Sequence, residues 1–169
     1  MIDGKVVRLR AITSADYGYL ARLRSDEDLA RLLTSRARAS SSESIKPWVD
    51  RVTSDSNSLL FAIAHVDTDS VAGFLQVTQM DTVSGTAMFG ICLGREAQGK
   101  GLGKEALTLV ESYLPRVWRI RKLVLHVLAS NDAAIGLYKT LGFQDVGVMK
   151  QHFWFDGEYN DVLIMEKLF

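Results

Sequence analysis

The chain has 169 residues, 47% of them hydrophobic and 24% charged, with Lys plus Arg and Asp plus Glu equal at 20 each. This length suits one domain, 1–169, with a substantial core, and zero net charge lacks the basic footprint that nucleic-acid binding leaves. A single cysteine, Cys92, excludes an intrachain disulfide, no apolar run approaches a membrane span, and Met1 to Lys5 lacks a signal-peptide core, so a cytoplasmic protein is expected.

Lys5 to Arg10 alternates as a strand, with Val7 and Leu9 on one face and Arg8 and Arg10 on the other. Thr13 followed by Asp16 is a helix start with Asp in place of the usual Glu, and the helix carries Tyr17, Leu20 and Leu23 at helical spacing. A second short helix is expected over Asp26 to Leu33. Thr34 to Ser44, rich in Ser, Arg and Ala, reads as a surface loop in which Arg36 and Arg38 are solvated rather than bound to an anion. Glu43 to Val52 reads as a helix with Pro47 in its first turn. Leu59 to Val66 and Val71 to Gln79 form a hairpin across Asp67 to Ser70, and Asp81 to Gly85 makes the next turn.

Ala87 to Leu93 is almost wholly apolar and reads as a strand buried on both faces, with Cys92 a small buried hydrophobe in it. Gln98-Gly99-Lys100-Gly101-Leu102-Gly103 follows, and Lys104 to Leu114 has an amphipathic helical pattern. Glycines ahead of a helix start let backbone amides converge where the helix is partially positive, which is a recipe for holding a phosphate. A dinucleotide fingerprint fails here because the glycines fall at 99, 101 and 103, and a P-loop fails because position 101 is Gly rather than Ser or Thr. A plain strand-turn-helix with flexible glycines stays open on this stretch alone. Arg116, Arg119, Arg121 and Lys122 read as a solvated helix end.

Lys122 to Leu128 alternates as a strand, and a helix crossover lets it lie parallel to Ala87–Leu93. Ser130 or Asn131 caps a helix that ends at Gly142, with Ala134, Leu137, Tyr138 and Leu141 as its apolar stripe. Phe143 to Phe155 and Glu158 to Leu168 are strands joined by Asp156-Gly157, a tight-hairpin dipeptide.

Gln98, Gly101 and Gly103 match a (Gln/Arg)-x-x-Gly-x-(Gly/Ala) pattern, and Asn131 to Phe143 matches Asn-x-x-Ala-x-x-Leu-Tyr-x-x-x-Gly-Phe about thirty residues later. In both, in that order, the chain resembles the Gcn5-related N-acetyltransferases, and is most similar to the branch of ribosomal-protein and small-amine acetyltransferases. The resemblance implies a mixed α/β fold whose mostly antiparallel central sheet is splayed at two parallel strands. It implies acetyl transfer from acetyl-coenzyme A (acetyl-CoA) to a primary amine by direct attack, the acceptor being a small molecule or a protein N-terminus. In that scheme Gln98, Gly99, Lys100, Gly101, Leu102, Gly103 and Lys104 wrap the pyrophosphate, Ile91 and Leu93 offer main-chain groups to the pantetheine arm, Asn131 also touches the cofactor, and Tyr138 is the general acid beside the sulfur. A homodimer is allowed by this reading. A non-catalytic CoA-binding protein is the alternative.

The chemistry needs a neutral amine, a stabilised oxyanion and a proton for the thiolate. A phenol can supply that proton if its surroundings assist, although Tyr138 also fits a core stripe. The base stays open: Phe89, Gly90 and Ile91 provide no carboxylate, a core histidine is the favoured reading of His126, and Glu158, His152 and Asp81 are weaker candidates. No Cys, His, Asp and Glu cluster has metal-ligand spacing.

Overall fold

A computed structural model describes all residues, 1–169. Its centre is one eight-stranded sheet in the order β1-β2-β3-β4-β5-β6-β8-β7. The strands are β1 (Ile2–Asp3), β2 (Val7–Arg10), β3 (Leu59–His65), β4 (Val71–Asp81), β5 (Thr86–Leu93), β6 (Lys122–Leu128), β7 (Gln144–Phe155) and β8 (Glu158–Leu168). All neighbours are antiparallel except β5 and β6. Five helices flank the sheet: α1 (Tyr17–Ser25), α2 (Glu27–Leu32), α3 (Ser42–Thr53), α4 (Leu102–Trp118) and α5 (Asp132–Thr140).

The parallel pair is joined for three residues only, Thr86 with Lys122, Ala87 with Leu123 and Met88 with Val124. Beyond Met88, β5 keeps its pairing to β4 as far as Leu93, while β6 stays with β8 as far as Leu128. The sheet therefore opens as a fork between β5 and β6. This is the expected splay, and it corrects the expectation that β5 is buried on both faces. Ala87 and Phe89 are buried, but Ile91 and Leu93 on the same face are only partly so, because β6 no longer covers their flank.

Apolar alternation assigns two cores. Leu9, Leu75, Phe89, Leu123, Leu125 and Val127 pack beneath α4 through Ala106, Leu107, Val110 and Leu114, with Tyr138 of α5 joining them. On the opposite face, Leu20 and Leu23 of α1 meet Ile45 and Trp48 of α3 over Phe74 and Cys92. Trp48 packs edge-on against Phe74 with ring centroids 5.2 Å apart, and burial pushes the Cys92 thiol up to about 12, so Cys92 is the inert hydrophobe expected.

Several boundaries differ from the sequence pattern. The strand expected from Lys5 begins at Val7, because the amides of Lys5 and Val6 donate to the Glu105 carboxylate of α4. Pro47 falls in the second turn of α3, which starts at Ser42. α4 begins at Leu102 and runs through Pro115 to Trp118, ending where Arg119 takes a left-handed φ of 59°. Packing of the preceding turns outweighs the one amide that Pro115 removes. The Thr13–Asp16 start forms as read: the Thr13 amide donates to Asp16 Oδ2 at 2.8 Å. The same carboxylate takes both terminal nitrogens of Arg10, at 2.8 and 3.0 Å, fixing α1 to β2. Arg116, Arg119 and Arg121 are exposed as expected.

Candidate active site at the sheet fork

The glycine loop sits directly past the open end of β5. A short turn, Arg95–Ala97, redirects the chain, and the Gln98 side chain donates from Nε2 to the Leu93 carbonyl at 3.0 Å, pinning the loop to the strand. Gly99 and Gly101 take φ of 70° and 80°, a left-handed conformation that costs a residue bearing a Cβ. A Cβ added at either would meet nothing within 4 Å. Packing therefore does not demand these glycines; the backbone turn does, and it leaves the loop's outer side clear. Leu102 is buried and anchors the first turn of α4. The Glu105 amide is the first to find a carbonyl one turn back, that of Gly101 at 3.1 Å, so the amides before it point out of the helix end. Lys100 and Lys104 are exposed beside them.

Tyr138 reaches the fork from the other side, and local sequence explains how. Asn131 caps α5, its side-chain oxygen accepting from the Ala134 amide at 3.2 Å. At the far end Gly142 takes φ 89°, and the Phe143 and Gly142 amides donate to the carbonyls of Tyr138 and Lys139, each at 3.0 Å. That is a Schellman motif, whose usual apolar contact joins the residue after the glycine to the helical residue five before it. Here the contact is Phe143 against Tyr138, with ring centroids at 5.6 Å. On its other side Tyr138 stands edge-on to Phe89, centroids 6.5 Å apart, and Phe89 is the first β5 residue past the last pair with β6. The tyrosine is 7% exposed. Burial alone pushes its phenol up to about 12, with no hydrogen bond contributing.

The structure thus brings Tyr138 to the fork that Ile91 and Leu93 line, with the 98–104 loop at its outer end. Asn131 stands seven residues from Tyr138 on the same helix. The expectation for His126 is corrected: it is exposed rather than a core residue. It lies two residues past the last β5–β6 pair, as Gly90 does on β5, and both occupy the sheet face opposite Phe89. Burial, and secondarily the charge of His152, lowers its pKa below the ordinary value, so it is neutral at pH 7. Alternation could place His126 on a face but could not reveal that the face is open. Asp81 is far less suited to a proton-accepting role, since its carboxylate already accepts from the Val83 and Ser84 amides in the β4–β5 turn. Glu158 and His152 are exposed on the terminal hairpin.

No group of three or more His, Cys, Asp or Glu side chains is placed to hold a metal ion, and no helix is long and apolar enough to cross a membrane.

Comparisons with known proteins agree with this geometry. Residues 7–144 match the family model described as the acetyltransferase (GNAT) domain. The spermidine N(1)-acetyltransferase of Escherichia coli K12 is 34% identical over 94 residues, 56% of this chain and 50% of the relative. The [ribosomal protein uS5]-alanine N-acetyltransferase of the same organism is 33% identical over 72 residues, 43% of this chain and 37% of the relative. The chain spans about half the length of the spermidine acetyltransferases it matches. Among solved structures, spermidine N-acetyltransferase from Vibrio cholerae, in complex with CoA and spermine, superimposes with a TM-score of 0.88 at 22% identity, covering 96% of this chain and 95% of that one. With the family model covering both signatures and the whole fork, the chain belongs to the GNAT acetyltransferase family.

Proposed function

We propose that the protein transfers an acetyl group from acetyl-CoA to a primary amine of a small molecule or a protein N-terminus. The observation that carries this is the fork: a clear-sided loop of helix-end amides at its mouth and a phenol without a protein partner inside. The relative solved with CoA and spermine, and the two relatives named for acetylating spermidine and an alanine of ribosomal protein uS5, support the same class of donor and acceptor.

The residues fit the donor. Amides from Gly99 to Lys104 face outward at the positive end of α4 and suit a pyrophosphate, with Gln98 holding their loop to β5. Ile91 and Leu93 lie past the last β5–β6 pair, where main-chain groups are available to an extended arm. Asn131 uses its oxygen on Ala134 and keeps its amide nitrogen for the ligand. Acetyl-CoA supplies the thioester-activated acetyl group.

Tyr138 holds a proton at Oη across the whole working pH range, because its pKa is raised to about 12, and donates it to the departing sulfur. Desolvation near the buried ring also raises the basicity of that sulfur, so donor and acceptor are better matched than in water. His126, neutral at pH 7 and on the opposite face, is placed to take the proton that the attacking amine sheds. No acyl-enzyme is needed, since Cys92 is buried with its thiol held protonated.

One observation favours the alternative of a CoA-binding protein without catalysis: Tyr138 is also a packed member of the core, between Phe89 and Phe143. An amine panel with acetyl-CoA, following free thiol release alongside calorimetric titration of CoA, tests the proposal. Binding with turnover supports it, binding without turnover supports the alternative, and no binding removes both.

A further inference from the structure

The positive charge of this chain is not evenly matched by its carboxylates. Arg95 takes Asp26 and Asp28, Lys46 takes Asp50, and Arg10 takes Asp16 and Asp69. Arg24, Arg38 and Arg51 have no ion-pair partner within 4.0 Å. Yet the fold gathers them. Arg24 ends α1 with its guanidinium 4.3 Å from the centre of the Trp48 ring on α3. The Arg38 amide donates to the Arg24 carbonyl at 3.0 Å, and the Ser25 hydroxyl donates to the Arg38 carbonyl at 3.1 Å. Arg51 follows Trp48 by three residues on α3, on the same helical face. Arg24 is half-buried whereas Arg38 and Arg51 are exposed. Desolvation, then the charges of Arg38 and Arg51, pushes Arg24 below the usual arginine pKa.

Their position bears on the reaction. Trp48 packs on Phe74, and Phe74 is paired with Cys92 of β5. Cys92, Gly90 and His126 share one sheet face, so Arg24, through Trp48 and Phe74, lies on the face that His126 occupies. Chain neighbours of Arg24 and Arg38 line a hollow of about 590 Å³, formed by Ser25, Glu27, Ala37, Ala39, Ser40 and Ser41, in which Glu27 is the single carboxylate.

We infer that Arg24, with Arg38 and Arg51, forms a subsite for an anionic group of the acceptor, so that the preferred substrate is a small primary amine carrying a carboxylate or phosphate. The Arg24 guanidinium, 4.3 Å from the centre of the indole and without a carboxylate partner, has N–H groups to offer, and a guanidinium recognises such a group bidentately. Three arginines close enough to feel one another's charge, none with a carboxylate partner, also repel a polyamine, so the same residues select against acceptors such as spermidine. Arg38 is exposed, as the solvated reading of the sequence expects, and the subsite gives it an anionic partner only when an acceptor is bound; the inference rests on the acetyl-transfer proposal above.

The test compares matched acceptors in the thiol-release assay: each L-amino acid with its α-amide, phosphoethanolamine with ethanolamine, and spermidine. Carboxylate preference gives kcat/KM at least tenfold higher for acids than amides; phosphate preference appears only in the second pair. In Arg24→Gln and Arg51→Gln that ratio falls toward one, and Arg24→Lys, which keeps charge but not the fork, recovers it only in part. Equal rates for charged and neutral partners, faster turnover of spermidine, or a ratio that survives in both glutamine variants overturns the subsite. Thiol release from any of these acceptors leaves the acetyl-transfer proposal standing in each case. No release with any amine, and no heat on titrating CoA, overturns that proposal and the subsite with it.

Discussion

Replacing Tyr138 by Phe removes one oxygen and little else. The ring keeps its contacts with Phe89 and Phe143, and the lost hydroxyl gives up no hydrogen bond within the protein. Stability should therefore change by about 0.5 kcal/mol or less, a Tm shift of roughly 2 °C at most for a chain of this size. If the phenol is the acid, kcat falls by about 10²- to 10⁴-fold, equivalent to about 2.7–5.4 kcal/mol of barrier at 1.36 kcal/mol per decade. Affinity for CoA should be unchanged by calorimetry. Because burial raises the phenol to about 12, the wild-type pH–rate profile should show no falling limb from Tyr138 between pH 7 and 10. The measurement is thiol release at saturating amine and acetyl-CoA, with thermal melts of both proteins. A kcat within about threefold of wild type, or a rate loss that tracks a large fall in Tm, refutes the assignment.

Gly101→Ala should cost only about 1–2 kcal/mol for its left-handed φ, since a Cβ there has open space, but should raise KM for acetyl-CoA more than tenfold; an unchanged KM in a folded variant contradicts the cradle. Asp16→Asn leaves Arg10 buried with only Asp69, and denaturation should show a loss of about 3 kcal/mol. Burial by itself would raise the Asp16 pKa, but the bonds from Arg10 and Thr13 outweigh it and hold it below 3.8. Its contribution is thus present above that pH and lost as pH falls through the folded value, so the gap between wild type and Asp16→Asn should narrow in acid; a constant gap contradicts the ion pair. For His126, titration by NMR should give a midpoint below 6.5, moving upward in His152→Ala. Its depressed folded value makes it lower stability as pH falls below 6.5, and a midpoint at or above 6.5 removes it as a neutral base.

What was legible in the sequence is what short-range geometry encodes. Asn131, Gly142 and Phe143 specify both ends of α5 and the packing of Tyr138, so a thirteen-residue pattern carries a three-dimensional instruction. Asp156 and Gly157 do the same for the β7–β8 turn, taking the positive φ values of 46° and 82° that such a turn requires. The amphipathic pattern read as ending at Leu114 runs on through Pro115 to Trp118, because tertiary contacts hold the helix through the proline. Lys5 and Val6 misled because the side chain that takes their amides, Glu105, is a hundred residues away. Thr13 and Asp16 announced a helix start, but nothing local told that Arg10 would share the carboxylate. The parallel pairing of β5 with β6 could be anticipated from the crossover through α4. The openness of His126 could not, since it depends on where two strands part.

The parting of β5 and β6 has a mechanical consequence. The sheet is two plates, β1 to β5 and β6 to β8, joined at one corner by three residue pairs and covered by α4, while past that corner no strand pairing ties one plate to the other. A ligand bound between the plates, as proposed, would bridge them where the strands do not. By mass action, saturation at a hundredfold over Kd would add about 2.7 kcal/mol to global stability. The loaded protein would then be more stable than the empty one, and that difference would be lost as product leaves.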